Sequence, residues 1–197
     1  MSTLELKELS HPAGEVIKIA AGKTLDLKSQ GTTTLPTGSV LQVVSATLKS
    51  AVAISSNETN TYVASGLTAT ITPSSTSSKI LVSVNMFYAF GPSGTMHFRL
   101  ARGTDSTICI GDTGLSSQLR DTASVRTNTT PYALEMNSIP MQHLDSPSTT
   151  SATTYSVMLT MGASYNSNMY VNRTHSADNG NYNPRGTSTI TLTEIQG

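Results

Sequence analysis

Lys79-Ile80-Leu81-Val82-Ser83-Val84-Asn85-Met86-Phe87-Tyr88-Ala89-Phe90 is the stretch that decides the fold. Ile80, Val82, Val84 and Met86 fall on alternate positions. Successive side chains of an extended chain point to opposite faces, so these four share one apolar face. Leu81 and Phe87 thicken the strand from its other side. Gly91-Pro92-Ser93-Gly94 then stops the run in a turn, because proline presets one turn dihedral and glycine accepts the others.

The same period of two recurs on both sides. Met96, Phe98 and Leu100 alternate and end at Arg102-Gly103; Tyr155, Val157, Leu159 and Met161 alternate; Ile190 and Leu192 alternate within Thr187–Ile195. Leu67, Ala69 and Ile71 alternate within Tyr62–Thr72 and stop at Pro73-Ser74-Ser75. Val40–Val44 and Thr107–Ile110 are short apolar runs, Met169–Val171 is shorter still, and Tyr132–Ile139 reads as a strand closed by Pro140. Residues 115–131 are polar and give no clear period. Short strands at regular spacing, with turns between them and almost no helical periodicity, predict an all-β, antiparallel, jelly-roll-like sandwich. The alternating faces predict a core of Ile80, Val82, Val84, Phe98, Leu100, Val157, Leu159, Ile190 and Leu192.

Ahead of this head the pattern differs. Ile17 and Ile19 alternate with polar residues, as do Leu25 and Leu27, with a tight turn expected at Ala20-Ala21-Gly22-Lys23. Two such strands bury too little alone, so they predict intertwining with copies of the same chain. Residues 15–38 are therefore read as a short β shaft of intertwined copies, ended by Leu35-Pro36-Thr37-Gly38, with the head over 39–197; the resemblance given below makes that shaft trimeric. Residues 1–14 carry Leu4, Leu6 and Leu9 among charges and read as an anchoring segment.

Only 12% of the residues are charged, and the 12 basic side chains balance the 12 acidic ones. Nucleic acid and anionic membrane both select a basic surface, so neither is expected as partner. Solubility rests instead on 28 Ser and 31 Thr, a composition that suits turns and strands respectively. Cys109 is the one cysteine, which excludes an internal disulfide; it lies between Ile108 and Ile110 and is expected to be buried. The lack of disulfides and of an apolar leader fits folding in a reducing cytoplasm without membrane insertion. Sequons at Asn57, Asn128 and Asn172 are expected by chance in so Asn-, Ser- and Thr-rich a chain.

A search for chemistry yields little. His11, His97, His143 and His175 are scattered without metal-ligand spacing, and no nucleophile elbow or phosphate loop occurs. Asp112-Thr113-Gly114 is the tripeptide of aspartic proteases, but that chemistry needs two carboxylates and one copy is present; it reads as a polar turn. No enzyme activity, cofactor or metal is expected. The best binding candidate is 162–186, with Tyr165, Tyr170, Arg173, Tyr182 and Arg185 as leading contacts among many Asn and Ser. Tyr supplies rigid amphipathic area, amides and hydroxyls supply adaptable hydrogen bonds, and Arg pairs with acidic groups. Up-and-down alternation from residue 38 sends the connection before the last strand to the end of the head remote from the shaft.

Three stretches carry a resemblance: 35–44 (LPTGSVLQVV), 65–82 (SGLTATITPSSTSSKILV) and 188–195 (STITLTEI). They are similar to stretches in virion appendage proteins of marine bacteriophages, including those infecting cyanobacteria. That resemblance implies a variable leader joined to a jelly-roll-like head, a homotrimer, attachment to other virion proteins and contact with a host surface glycan or protein. The expected function is a fibre or spike subunit on tail or head; the alternatives are a capsid decoration protein that stabilises the shell and a glycan-degrading spike.

Overall fold

The computed structural model describes residues 21–22, 35–55, 60–91, 94–103, 106–112, 114, 118–127, 135–162, 168–176 and 180–197. The chain divides into two compact units, 1–35 and 36–197. Of the first, Ala21 and Gly22 form a turn with Gly22 at φ 75°, where the tight turn is expected. Leu4, Leu6 and Leu9, expected to anchor the chain, and Ile17, Ile19, Leu25 and Leu27, expected to form the shaft, lie outside the described residues.

The second unit is an antiparallel β-sandwich. Its strands are β1 (Val40–Leu48), β2 (Val52–Ile54), β3 (Val63–Ile71), β4 (Lys79–Phe90), β5 (Gly94–Arg102), β6 (Ser106–Ile108), β7 (Ala123–Thr127), β8 (Asn137–Asp145), β9 (Thr153–Met161), β10 (Met169–Val171) and β11 (Ser188–Ile195). In the first sheet β1 pairs β11, β11 pairs β4 and β4 pairs β8; β2 and β10 continue the β1 and β11 positions along the far part of β4. In the second sheet β3 pairs β9, β9 pairs β5, and β5 pairs both β6 and β7. The pairings nest: β1 with β11, β3 with β9, β4 with β8, β5 with β7.

Alternation explains why these segments are strands. Every residue of the predicted core is buried, joined by Leu67, Ile71, Met86, Met96, Tyr155, Met161 and Met169. Tyr88 sets its ring edge-on to Phe98 at 5.1 Å, joining the two sheets by an aromatic contact. β3 is interrupted where Gly66 takes a φ of 87°; the register against β9 shifts between Ala64 and Thr68, a bulge that glycine accommodates without strain.

Two buried carboxylates staple the edges. Glu194 follows Ile190 and Leu192 on the inward face of β11 and is fully buried. It accepts from Ser74 N at 2.7 Å, Ser74 Oγ at 2.6 Å and Gln42 Nε2 at 2.5 Å. Ser78 Oγ is buried beside the same carboxylate without a well-formed hydrogen bond. Burial alone would raise the Glu194 carboxyl, but these donors outweigh it and hold the group below its ordinary value. Asp145 accepts from Arg102 Nη1 at 3.0 and 2.7 Å and from Tyr155 Oη at 2.7 Å, tying β8 to β5 and β9 across the sandwich.

Three expectations are corrected. Cys109 is exposed rather than buried: β6 ends at Ile108, and a φ of 55° at Cys109 breaks the alternation that Ile108-Cys109-Ile110 suggests. Pro140 does not close a strand but sits inside β8, paired with Asn85. Among the described residues β8 pairs only with β4, and an edge strand has a free side on which a missing N–H costs nothing. The third is β7, which lies within the stretch that gave no period; it turns Ala123 and Val125 toward the core.

Candidate functional site

The pairing fixes two ends of the sandwich. Val40 pairs with Ile195 at one end of β1 and Leu48 with Ser188 at the other. The first is the base, where the chain enters the sandwich: Gly38 N donates to Gln196 O and Gln196 N to Ser39 O, both at 2.8 Å. The far end gathers the connections that leave β2, β4, β7 and β9, while those that leave β1 and β10 depart short of it, because β2 and β10 still pair along Tyr88–Phe90 of β4 beyond them. The connection from β10 to β11 is the longest of them, spanning 172–187.

This connection starts from Asn172, which is fully buried at a φ of 59°. Asn tolerates the left-handed region because its short amide bonds locally. Its Nδ2 donates to Leu48 O at 2.6 Å and Ser50 O at 3.2 Å, and its Oδ1 accepts from Ser188 Oγ at 2.6 Å. The amide of this sequon is therefore committed to the fold. Arg173 and Arg185 then pair as an antiparallel bridge, and Gly186 N donates to Asn172 O at 3.1 Å. Residues 174–184 are thus an excursion closed at its neck. Thr174 Oγ1 donates to Ser176 O at 2.8 Å and lies 3.1 Å from Asn183 Oδ1; Asn183 N donates to Gly180 O at 3.0 Å.

The five candidate contacts are not equivalent. Tyr182 is 73% exposed, and Arg185 is also exposed. Tyr170 is a residue of β10 with 7% exposure, so it is not presented to a ligand; this corrects its place among the contacts. Its ring instead supports the excursion: the Arg173 guanidinium lies 4.8 Å over it and His175 meets it edge-on at 5.3 Å. Arg173 also donates to Thr174 O and His175 O. Tyr165 lies outside the described residues.

A second polar feature was not anticipated. On the outer face of the second sheet Tyr62 Oη donates to Asp121 Oδ1, and His97 Nδ1 lies 2.6 Å from Asp121 Oδ2. Arg99 stacks 3.7 Å over the Tyr62 ring and donates from Nε to Arg120 O at 2.7 Å. Thr122 N donates to Phe98 O, Leu100 N to Thr122 Oγ1, and Gly111 N to Asp121 O. Burial, then the Asp121 carboxylate, push the Tyr62 phenol up, so it stays a donor at neutral pH. The cluster clamps the chain between β6 and β7 onto the sheet. Beside it runs an open groove of about 520 Å³ lined by His97, Asp112, Gln118, Arg120, Asp121 and Ser124. Asp112 of the protease-like tripeptide lines this groove with Asp121, but the second carboxylate is already committed to Tyr62 and His97.

Among the described residues no group of three His, Cys, Asp or Glu is placed to hold a metal ion, and no helix is long and apolar enough to cross a membrane. No known protein family matches the chain, and no curated protein is found similar to it.

Proposed function

We propose that this chain is a trimeric fibre or spike subunit of a bacteriophage particle, and that its sandwich is the jelly-roll head that meets the host surface. The observation that carries the reading is the polarity of the head: the chain enters at the base beside Gln196, while the neck of the excursion, Arg173 with Arg185, leaves the first sheet beside Phe87, in the half of the head remote from that base. A module entered at one end and bearing exposed Tyr182 and Arg185 on a connection from its far half suits contact at a distance. The nested strand pairs are those of a long hairpin rolled into two sheets, which supports the jelly roll. Arg173 and Arg185 at paired positions, with an aromatic ring nearby, suit a glycan bearing carboxylate or sulfate groups.

Cryo-electron microscopy of intact particles tests the location. Three-fold density for this chain, with its head distal, is expected; its absence from particles, or a flat placement over capsomer junctions, overturns the fibre reading. Particles carrying Tyr182→Ala with Arg185→Ala are expected to assemble normally and adsorb at least about tenfold more slowly, a loss of roughly 1.4 kcal/mol. Adsorption at the wild-type rate removes the excursion as the receptor site.

A further inference from the structure

Arg173 and Arg185, the two feet of the β10–β11 excursion, face each other as bridge partners. Gly186 N donates to Asn172 O beside them, so the pair is of the narrow kind, with Cα atoms about 4.5 Å apart and both side chains on one face. Like charges directly opposite one another repel, and a carboxylate set against them would relieve the repulsion. Among the described residues the ion pairs are those of His97, Arg99 and Arg102, and no carboxylate meets Arg173 or Arg185. Asp178, the one acidic residue of the connection, lies outside the described residues. Arg185 is exposed and makes no side-chain hydrogen bond among the described residues.

Both feet are fixed before any ligand arrives. Arg173 donates from Nε to Thr174 O at 3.1 Å and from Nη2 to His175 O at 3.3 Å, and its guanidinium lies 4.8 Å over the Tyr170 ring. Tyr170 is itself held in β10 between Ala53 and Ala89. Two of the five donors of Arg173 are thus taken by carbonyls, and Nη1 has no partner among the described residues. On the other foot, a Cβ on Gly186 would come 2.7 Å from Phe87 Cγ, so the backbone that carries Arg185 lies hard against β4. A site ordered in the free protein loses less entropy on binding.

We infer that the neck holds one tetrahedral oxyanion ester, a sulfate or phosphate monoester carried by a host-surface sugar, between the Arg173 and Arg185 guanidiniums. The inference rests on the host-contact reading above and adds which chemical group is recognised. An anion placed between the two cations turns their mutual repulsion into two attractions. A carboxylate is planar, and the fork of a single arginine matches its two oxygens, which leaves the second cation of a close pair unanswered. A monoester presents three oxygens at tetrahedral angles, so two arginines bond it at once. The Nε–Nη2 edge of Arg173 is already occupied by the carbonyls of Thr174 and His175, which favours sharing the anion with Arg185 over a clamp by Arg173 alone.

The test titrates the purified full chain at about 0.15 M salt, which screens diffuse attraction. The probes are dextran sulfate, phosphorylated dextran and carboxymethyl dextran of equal charge density, with plain dextran as the blank. One ester is expected to bind at least about tenfold more tightly than the carboxymethyl form, and the tighter ester, sulfate or phosphate, names the group. Arg185→Gln is expected to weaken that binding at least about tenfold with thermal unfolding unchanged, since the side chain it removes is exposed. Arg173→Gln is expected to weaken it as much, and Arg126→Gln, which removes an exposed cation of the second sheet, to leave it unchanged. Equal binding of the ester and carboxymethyl forms, or an equal loss in Arg126→Gln, reports diffuse attraction and overturns the inference. A wild-type chain that binds neither ester overturns it as well. Particle adsorption decides the host-contact reading separately. Slow adsorption of the Tyr182 and Arg185 variant without ester binding by the wild-type chain overturns the group and keeps the contact. Unchanged adsorption of that variant with ester binding intact in the wild-type chain overturns the contact and keeps the group.

Discussion

Asn172 and Glu194 hold opposite ends of β11 by the same means, a buried polar group whose partners come from distant segments. Asn172 fastens the end of β1 to the start of β11 through Leu48, Ser50 and Ser188. Replacing it with Ala leaves two carbonyls and a hydroxyl without this partner and keeps a left-handed backbone that Ala disfavours. A loss of about 2–4 kcal/mol is expected in urea unfolding. Glu194 gives a pH dependence instead. Its folded carboxyl lies below the ordinary value of 4.5, so the stabilisation is fully present above that value and is lost as pH falls through the lower folded value. As pH falls from above 4.5 through the lower folded value, the wild type is expected to lose stability more steeply than Glu194→Gln, so the gap between them narrows on acidification. Neither residue announced its role in the sequence: Asn172 stood out only as part of a sequon, and Glu194 as a charge near the chain's end. The same holds for the Asp121 clamp, whose partners His97 and Tyr62 are 24 and 59 positions away. Cys109 misled because its direction depends on a left-handed dihedral that Ile-Cys-Ile does not encode.

Among the strands, legibility follows the number of inward apolar residues. β4 places six apolar residues on the core side, Ile80 through Phe90, and β9 four, and their register is unambiguous because a slip by one residue would turn all of them outward. β2 and β7 contribute two each, Val52 with Ile54 and Ala123 with Val125, which is too few for a period to show. β8 places Ile139 and Met141 inward around Pro140, and the proline reads as a stop unless the strand is known to be an edge. Leu159 in β9 is fully buried between β3 and β5, paired with Val63 and Phe98. Leu159→Ala is expected to lower unfolding free energy by about 2–5 kcal/mol, the cost of a lost side chain and the cavity it leaves. A change under about 0.5 kcal/mol, typical of surface sites, would mean that this face is not the core.

For the whole molecule, the expected architecture assigns separate tasks to leader and head. The unit 36–197 has its own continuous core, so it is expected to fold without residues 1–14. Deleting 1–14 should leave the thermal unfolding of the head within a few degrees of the full chain, while the protein disappears from purified particles. Normal incorporation of the shortened chain would place the docking function elsewhere. That the last strand returns toward the base was legible, because it follows from alternation along the chain; that β10 runs the same way, so that the long connection leaves the sheet short of its far end, was not. Which of the candidate contacts are presented was not legible either, because Tyr170 belongs to a strand and serves as the floor beneath Arg173 and His175.

The neck formed by Arg173 and Arg185 separates the tip of that connection from the sandwich. Both feet are fastened by backbone bonds and by Asn172, so lengthening the tip adds only loop-closure entropy, about 0.6 kcal/mol per doubling. A scaffold built this way can be diversified at one site while its folding is left alone. Randomised peptides placed between Gly180 and Asn181 would be carried on a rigid frame, which makes the chain a candidate framework for selecting new affinity reagents.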